Sequence, residues 1–225
     1  MRFLQAVFLD FDGVILESID VKTWAFKKLF EDYPNQIDAI ASYHMENGGI
    51  SRFVKFRYIY EKILEQHLAK ERFEYLCQKY SDLVFERVLQ CAFVKGAKEF
   101  LDKYHQRIPL FVVSGTPQEE MRQIIECRKL AAYFQGVFGS PNSKDYWVEK
   151  ILSGYHFAAE RTIFVGDAKS DYQAAKGAGC IFFARISPGT EDVLKGKDVD
   201  HRIADLTELD SILERDYSFI DVGFK

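Results

Sequence analysis

Short apolar runs alternate along most of the chain with stretches in which apolar residues recur every three or four positions, as in a helix. Each of four such runs ends in a polar or glycine-containing turn, which is typical of a strand buried on both faces of a parallel sheet. These four runs lie at residues 6–9, 108–113, 162–165 and 181–184. Two weaker patterns predict a short strand at residues 137–138 and an edge strand at residues 203–204.

Apolar residues at helical spacing follow these predicted strands. One helix is predicted to begin after the second run, with Thr116 as its N-cap, Pro117 in the first position and Glu119 completing a capping box. The other helices in this part of the chain are predicted at residues 97–104, 145–156, 172–178 and 206–213. Strands that alternate with helices indicate an α/β fold with a parallel sheet covered on both faces. The tail at residues 217–225 fits either an edge strand or a loose end.

The segment at residues 19–91 has no strand pattern. Its apolar residues predict helices at residues 21–31 and 36–46, the second of which stops at Gly48-Gly49, followed by two apolar stripes within residues 50–68 and 73–88. The sequence therefore predicts an all-helical domain at 19–91, inserted into an α/β core made of residues 1–18 and 92–225.

Acidic residues follow two of the predicted strands. Asp10 and Asp12 come after the first, on the same side of the chain by the two-residue period of a strand, and Gly13 allows a turn. Asp167 and Asp171 come after a later strand. Asp10 and Asp12, one residue apart, repel each other unless they share a proton or a cation, and a hard ion such as Mg²⁺ suits the pair. Asp167 and Asp171 would complete such a cation site. The alternative is an acidic turn after the first strand and, for Asp171, an acid that favours a helix N-terminus.

Two further polar positions suit an anion. Ser114 ends another strand, and its hydroxyl, the Gly115 amide and the start of the next helix together fit a phosphate. Lys144, predicted in a loop, can neutralise a phosphoryl group. Ser114 could instead only cap the turn, and Lys144 could be a solvated surface residue.

Composition excludes several classes of protein. The chain has 225 residues, 48% hydrophobic and 28% charged, with a net charge of −4. It has no long basic run and no apolar stretch of membrane-spanning length, so neither a nucleic acid nor a membrane is expected as a partner. Its four cysteines form no CxxC motif, so we expect reduced thiols in a cytoplasmic protein.

The order of these motifs resembles the haloacid dehalogenase superfamily. DxDG after a strand, Ser-Gly-Thr after the next core strand, a lysine and then GDxxxD match its four motifs, and the resemblance covers essentially the whole chain. The helical insertion looks like the cap of the phosphoglycolate phosphatase and β-phosphoglucomutase branch. The resemblance implies a Rossmann-like, doubly wound core. Glu17, near the expected cap hinge, and Asp145 both depart from the residues usual in relatives, which are aspartate and proline.

The resemblance also implies a role for each matching residue. Asp10 would be the nucleophile that forms an aspartyl-phosphate, and Asp12 would protonate the leaving oxygen and then activate water. Ser114 and Lys144 would hold the phosphoryl oxygens. Mg²⁺ would be bound by the Asp10 side chain, the Asp12 carbonyl and Asp167, and supported by Asp171. The expected function is a Mg²⁺-dependent phosphatase acting on a small phosphorylated metabolite.

Other functions stay open on sequence grounds. A phosphomutase would use the same motifs, a non-catalytic binding protein could keep the fold, and a phosphonate hydrolase would need a Schiff-base lysine in the cap, where no lysine is singled out. Asp12 argues against a dehalogenase. Arg52, which follows the Gly48-Gly49 break, is predicted either to bind the leaving group as the cap closes or to be a solvated residue of a helix capped by Ser51. The substrate and the oligomeric state stay open.

Overall fold

The computed structural model describes residues 2–219. Strands and helices alternate outside one long helical segment, as the apolar pattern predicts. The strands are β1 (Arg2–Phe3), β2 (Ala6–Leu9), β3 (Leu110–Pro117), β4 (Gly136–Ser140), β5 (Thr162–Gly166), β6 (Ile181–Arg185), β7 (His201–Ile203) and β8 (Tyr217–Ser218). The α-helices are α1 (Ile19–Leu29), α2 (Ile37–Glu46), α3 (Arg52–Tyr58), α4 (Lys70–Leu89), α5 (Ala97–Tyr104), α6 (Gln118–Cys127), α7 (Lys144–Tyr155), α8 (Lys169–Ala178) and α9 (Leu206–Asp216).

Six parallel strands form the main sheet in the order β4-β3-β2-β5-β6-β7. Successive residues of β2 face opposite sides: Val7 and Leu9 belong to one apolar cluster and Ala6 and Phe8 to another. The predicted α/β fold with a doubly covered parallel sheet is therefore confirmed. The chain leaves β2 toward β3 and β4 on one side and later reaches β5 on the other, so the carboxyl end of β2 lies at a topological switch point, where open sheets place their ligands.

The helices α1 to α4 follow β2 directly, with no strand between them and the next core helix, α5. Aromatic rings hold them together: Phe26 packs 5.5 Å from Phe56 and 4.9 Å from Tyr80, between ring centroids. The apolar stripe within 50–68 forms a shorter helix than its length predicts. After α3 and one π-helical turn at Ile59–Ile63, the backbone reaches a left-handed conformation at Glu65 (φ 53°), which ends the helix.

The start of α6 differs from the prediction. β3 continues to Pro117 through an irregularity after Val113, and α6 begins at Gln118 without a side-chain cap. The predicted N-cap at Thr116 and its capping box are therefore wrong. The physical reason is that the Thr116 hydroxyl hydrogen-bonds to Lys22 and Asp12.

Two more features refine the predicted elements. Lys144 is the first residue of α7 and does not lie in a loop. The two-residue strands β1 and β8, too short for a clear pattern, pair in parallel with Arg2 opposite Tyr217. The predicted tail thus begins as a strand, and its residues 220–225 lie outside the described part.

Two expectations from composition can be compared with the fold. Cys77, Cys91, Cys127 and Cys180 are all free thiols, in agreement with the prediction. Among the helices that the structure describes between residues 2 and 219, none combines the length and the apolar character needed to cross a membrane.

Candidate active site

The loop after β2 places two carboxylates at the switch point of the sheet. Asp10 is buried, and its Oδ1 accepts a hydrogen bond of 2.7 Å from the Phe11 amide. The backbone then turns at Gly13 with φ 75°. A Cβ atom at Gly13 would lie 2.2 Å from Oδ2 of Asp167, so only glycine lets this carboxylate approach the loop.

Three carboxylates converge beside this loop. Asp10, Asp167 and Asp171 each offer an oxygen, and these oxygens lie within 4.8 Å of one another. Asp167 directly follows β5, and Asp171 belongs to the first turn of α8, where it also accepts a hydrogen bond from the Ala168 amide. The acids that the sequence places after two different strands therefore lie together in the fold.

Lys144 is the cation nearest to this acidic cluster. Its Nζ lies 2.8 Å from Oδ2 of Asp10 and also pairs with Asp171, and all three side chains are almost completely buried. Burial opposes the charged form of Lys144, but the two carboxylates outweigh this effect and raise its pKa. Lys144 is therefore a buried ammonium at the site, and the solvated-surface alternative is wrong.

One ammonium does not balance three carboxylates. Burial raises the pKa of Asp10 to about 7, and the carboxylates of Asp171 and Asp12 act in the same direction, against Lys144. Burial, followed by the charges of Asp10 and Asp171, also raises the pKa of Asp167 well above its usual range. The cluster thus lacks positive charge, and a divalent cation with a preference for oxygen ligands fits it.

Asp12 lies in a separate polar network. Ser18 donates a 2.6 Å hydrogen bond to its Oδ1, while Lys22 and Thr116 contact its Oδ2. Burial would raise the pKa of Asp12, but the Lys22 ammonium outweighs it and lowers the pKa. Sequence reasoning missed these three partners. The one available signal was the four-residue spacing of Ser18 and Lys22, which places them one helical turn apart.

The irregular last part of β3, after Val113, contacts the inserted segment. The Ser114 hydroxyl accepts a 3.1 Å hydrogen bond from the Thr116 amide, and Ser114 is buried. A Cβ atom at Gly115 would lie 2.2 Å from the Gly49 carbonyl oxygen. Gly48 also contacts the core, because its carbonyl accepts a hydrogen bond from the Ser170 hydroxyl. The glycines thus allow two backbones to touch beside the acidic cluster.

A cavity of about 850 Å³ lies between the core loops and the inserted helices. Five of the predicted site residues line it: Asp10, Asp12, Arg52, Gly115 and Asp167. The other predicted residues, Ser114, Lys144 and Asp171, are buried and do not line it. The inserted helices add further lining residues that sequence reasoning did not single out, namely Lys22, Phe26, His44, Lys55 and Tyr80.

Arg52 connects the inserted helices to the core. It is buried, although the Ser51 cap predicted for its helix is present. Its guanidinium forms an ion pair with Glu120 of α6, donates a 2.7 Å hydrogen bond to Ser81 and lies 4.5 Å from the centre of the Tyr80 ring. The alternative of a solvated Arg52 is therefore wrong, while its role toward a leaving group stays a prediction.

Glu17 at the expected hinge has a partner in the core. Its carboxylate accepts hydrogen bonds from both terminal nitrogens of Arg185, at 2.5 and 3.2 Å. Arg185 ends β6 and is almost fully buried. A bidentate pair of this kind fixes orientation as well as charge, so the chain between β2 and α1 is held against the sheet.

Residues 7–185 match the family model described as haloacid dehalogenase-like hydrolase. The chain is 28% identical over 196 residues to a phosphoglycolate phosphatase of Aliivibrio fischeri, a match covering 80% of this chain and 83% of that protein. It is 25% identical over 184 residues to a phosphorylated carbohydrates phosphatase of Thermotoga maritima, covering 78% and 82%. Among solved structures, a predicted phosphoglycolate phosphatase from Haemophilus somnus has a similar fold, with a TM-score of 0.74, 17% identity and coverage of 94% and 99%.

The Arg52–Glu120 pair leads to a stability prediction. Glu120→Ala leaves a buried guanidinium without its carboxylate, and removing one partner of a buried pair costs about 3–5 kcal/mol. We expect a loss of unfolding free energy of this size in urea denaturation. In the double variant Arg52→Met/Glu120→Ala the unpaired charge is gone, so much of the loss is recovered. Equal stability of Glu120→Ala and the wild type would contradict this account of the pair.

Proposed function

The chain belongs to the haloacid dehalogenase-like hydrolase family and is a phosphatase, and from this starting point we propose that it hydrolyses a small phosphorylated metabolite with Mg²⁺ as cofactor, through a phosphoryl group carried by Asp10. One observation carries the proposal. Asp10, Asp167 and Asp171 converge around Lys144 at the switch point of the sheet, with too little positive charge for three carboxylates. A cation and a phosphoryl group together suit this arrangement.

The donor set fits a magnesium ion. Asp10, Asp167 and Asp171 provide closely spaced carboxylate oxygens, and burial together with the charges of neighbouring carboxylates raises the pKa of Asp10 and of Asp167. We assign the ion to these carboxylates and to the backbone carbonyl of Asp12. When bound, the ion neutralises charge on the phosphoryl oxygens and on the carboxylates around them.

Asp10 is the proposed nucleophile. One of its carboxylate oxygens attacks phosphorus, and the bond between phosphorus and the leaving oxygen breaks. Lys144, whose Nζ lies 2.8 Å from Oδ2 of Asp10, offsets the repulsion between the carboxylate and the anionic phosphate. Ser114 and the Gly115 amide are assigned to the phosphoryl oxygens, because Gly115 lines the cavity together with Asp10 and Ser114 precedes it in β3.

Asp12 is the proposed general acid and base. It gives a proton to the leaving oxygen, then takes one from the water that attacks phosphorus and frees Asp10 and inorganic phosphate. The contacts from Ser18, Lys22 and Thr116 orient this carboxylate. Burial opposes the ionised form of Asp12, but Lys22 outweighs it and lowers the pKa, so ligand-free Asp12 is ionised. Asp12 would therefore take up a proton when the anionic substrate binds, pass it to the leaving oxygen in the first step, and act as the ionised base in the second.

The inserted helices are the proposed cap. Residues 19–91 would form this domain over the core of residues 1–18 and 92–225, with the Glu17–Arg185 pair at the hinge. The close contact of Gly49 with Gly115 and the Arg52–Glu120 ion pair support a closed arrangement over the cavity. Closure of this kind excludes water and completes a pocket.

Replacing the nucleophile gives the first test. Asp10→Asn removes the attacking oxygen but keeps the size of the side chain, so we expect phosphate release from p-nitrophenyl phosphate to fall below detection while the protein stays folded. The fold is checked by circular dichroism. Asp145→Asn, at the exposed second residue of α7, is the matched control and should keep full activity. Turnover by Asp10→Asn at a tenth of the wild-type rate would rule out this role.

The division of labour between Asp12 and Asp167 gives a second test. Asp167→Asn removes a metal ligand, so the Mg²⁺ concentration for half-maximal rate should rise by about tenfold or more. Asp12→Asn removes the proton donor, so its rate loss should be largest for alkyl phosphates, whose leaving groups are poor, and smaller for p-nitrophenyl phosphate. The roles are wrong if the two variants share one metal dependence and lose the same factor on every leaving group.

A further inference from the structure

One buried cation has no acidic partner among residues 2–219, the part of the chain that the structure describes. Within residues 2–219, the lysine and arginine residues that are almost fully buried are Arg52, Lys55, Lys144 and Arg185. Three of them form ion pairs with carboxylates. Arg52 pairs with Glu120, Lys144 pairs with Asp10 and Asp171, and Arg185 pairs with Glu17. Lys55, only 3% exposed, has no carboxylate within 4.0 Å among the described residues. An isolated buried charge is costly, so Lys55 calls for an explanation.

The contacts of Lys55 leave one of its hydrogens without an acceptor. Its Nζ lies 3.1 Å from the carbonyl oxygen of His44 and 3.1 Å from Nδ1 of the same residue, and 5.5 Å from the centre of the Phe26 ring. Burial, and after it the ammonium groups of Lys55 and Lys22, lower the pKa of His44 to about 2, so its ring is neutral and Nδ1 accepts. An ammonium has three N–H donors, and the described contacts satisfy two of them.

The surroundings of Lys55 are positive. Burial, then the charges of Lys22 and Lys144, lower the pKa of Lys55 to about 7, and Asp12 opposes them only weakly. Lys22 is itself neutralised by Asp12, and Arg52 by Glu120. Lys55 lines the same cavity as Asp10 and Asp12, so a ligand bound there lies next to Lys55.

We propose that Lys55, oriented by His44, is the binding site for a carboxylate on the leaving-group side of the substrate. This inference rests on the proposed phosphatase function and adds the chemistry of the group that leaves. Lys55 belongs to α3 of the inserted segment, whereas the residues assigned to the phosphoryl group belong to the core, so the two ends of the substrate meet different parts of the chain. The described contacts of Lys55 supply no negative charge, and a ligand group with one negative charge, such as a carboxylate, would supply it and favour the ammonium form of Lys55.

The same argument makes a stability prediction for the ligand-free protein. If Lys55 serves binding and not folding, its buried and unpaired ammonium lowers the stability of the ligand-free protein. Replacing it with the apolar Met should therefore leave the thermal unfolding midpoint unchanged or raise it. Lys62→Met, at an exposed position in the π-helical turn that follows α3, is the control and should change the midpoint little. A clear fall in the midpoint for Lys55→Met alone would assign Lys55 a structural role.

The direct test compares phosphoglycolate with its uncharged amide, two substrates of nearly equal size. The wild type should prefer phosphoglycolate by about 10- to 100-fold in kcat/KM, the range expected for a hydrogen bond to a charged group. Lys55→Met should lower kcat/KM for phosphoglycolate and leave kcat/KM for the amide unchanged, so most of the preference is lost. Lys55→Arg should keep part of the preference, and Lys62→Met should keep all of it. A preference retained in Lys55→Met, or an equal loss on both substrates, would overturn the inference.

A binding measurement separates this inference from the proposed chemistry. In the Asp10→Asn background, calorimetric titration with phosphoglycolate should give a Kd that Lys55→Met weakens by about 10- to 100-fold. If the wild type hydrolyses neither substrate nor p-nitrophenyl phosphate with Mg²⁺, the proposed function fails, and this titration still decides the role of Lys55. If hydrolysis proceeds but Lys55→Met leaves the Kd unchanged, the carboxylate site is wrong and the phosphatase function stands.

Discussion

Repulsion between buried carboxylates at the end of β2 is the constraint on which the site depends. The sheet brings Asp10, Asp167 and Asp171 to one place because β2 and β5 are neighbours and the loops at their carboxyl ends converge. Gly13 allows the approach, and Lys144 at the start of α7 offsets part of the charge. The remaining deficit of positive charge supports the proposal that the site binds a cation and, with it, a phosphoryl group.

The inserted helices place basic side chains next to the acidic residues of the core. Lys22 from α1 binds Asp12, and Arg52 from α3 binds Glu120 on α6. Lys55, also from α3, reaches the cavity without such a partner. In the proposed function, the core carries the groups that transfer the phosphoryl group, and the insertion carries the groups that distinguish one leaving group from another. On that proposal, one fold can serve different phosphorylated substrates.

The sequence predicted the core of this structure better than its insertion. Apolar runs ending at Asp10, Ser114 and Asp167 are local patterns, and the geometry of a parallel sheet brings their ends together, so the site could be assembled without coordinates. Thr116 was misassigned because its local context resembles a helix cap, while its actual partners, Lys22 and Asp12, are distant in sequence. Tertiary contacts of this kind override local propensity.

The burial of Lys55 and Arg52 could not be predicted for a similar reason. A lysine or arginine on an amphipathic helix is normally solvated, and only the packing of α3 against its neighbours and α6 shows that these two are enclosed. Their partners, His44 and Glu120, lie on other helices whose relative positions no periodicity determines.

Calorimetric titration of the ligand-free protein with Mg²⁺ at pH 7, in two buffers of different ionisation enthalpy, tests the central claim most directly. Because burial raises the pKa of Asp10 to about 7, Asp10 is protonated in part of the molecules at this pH, and a bound cation displaces that proton. We predict that a single Mg²⁺ binds per chain and that the measured enthalpy differs between the buffers, as proton release requires. Absence of binding at millimolar Mg²⁺, or binding without proton release, would contradict the account.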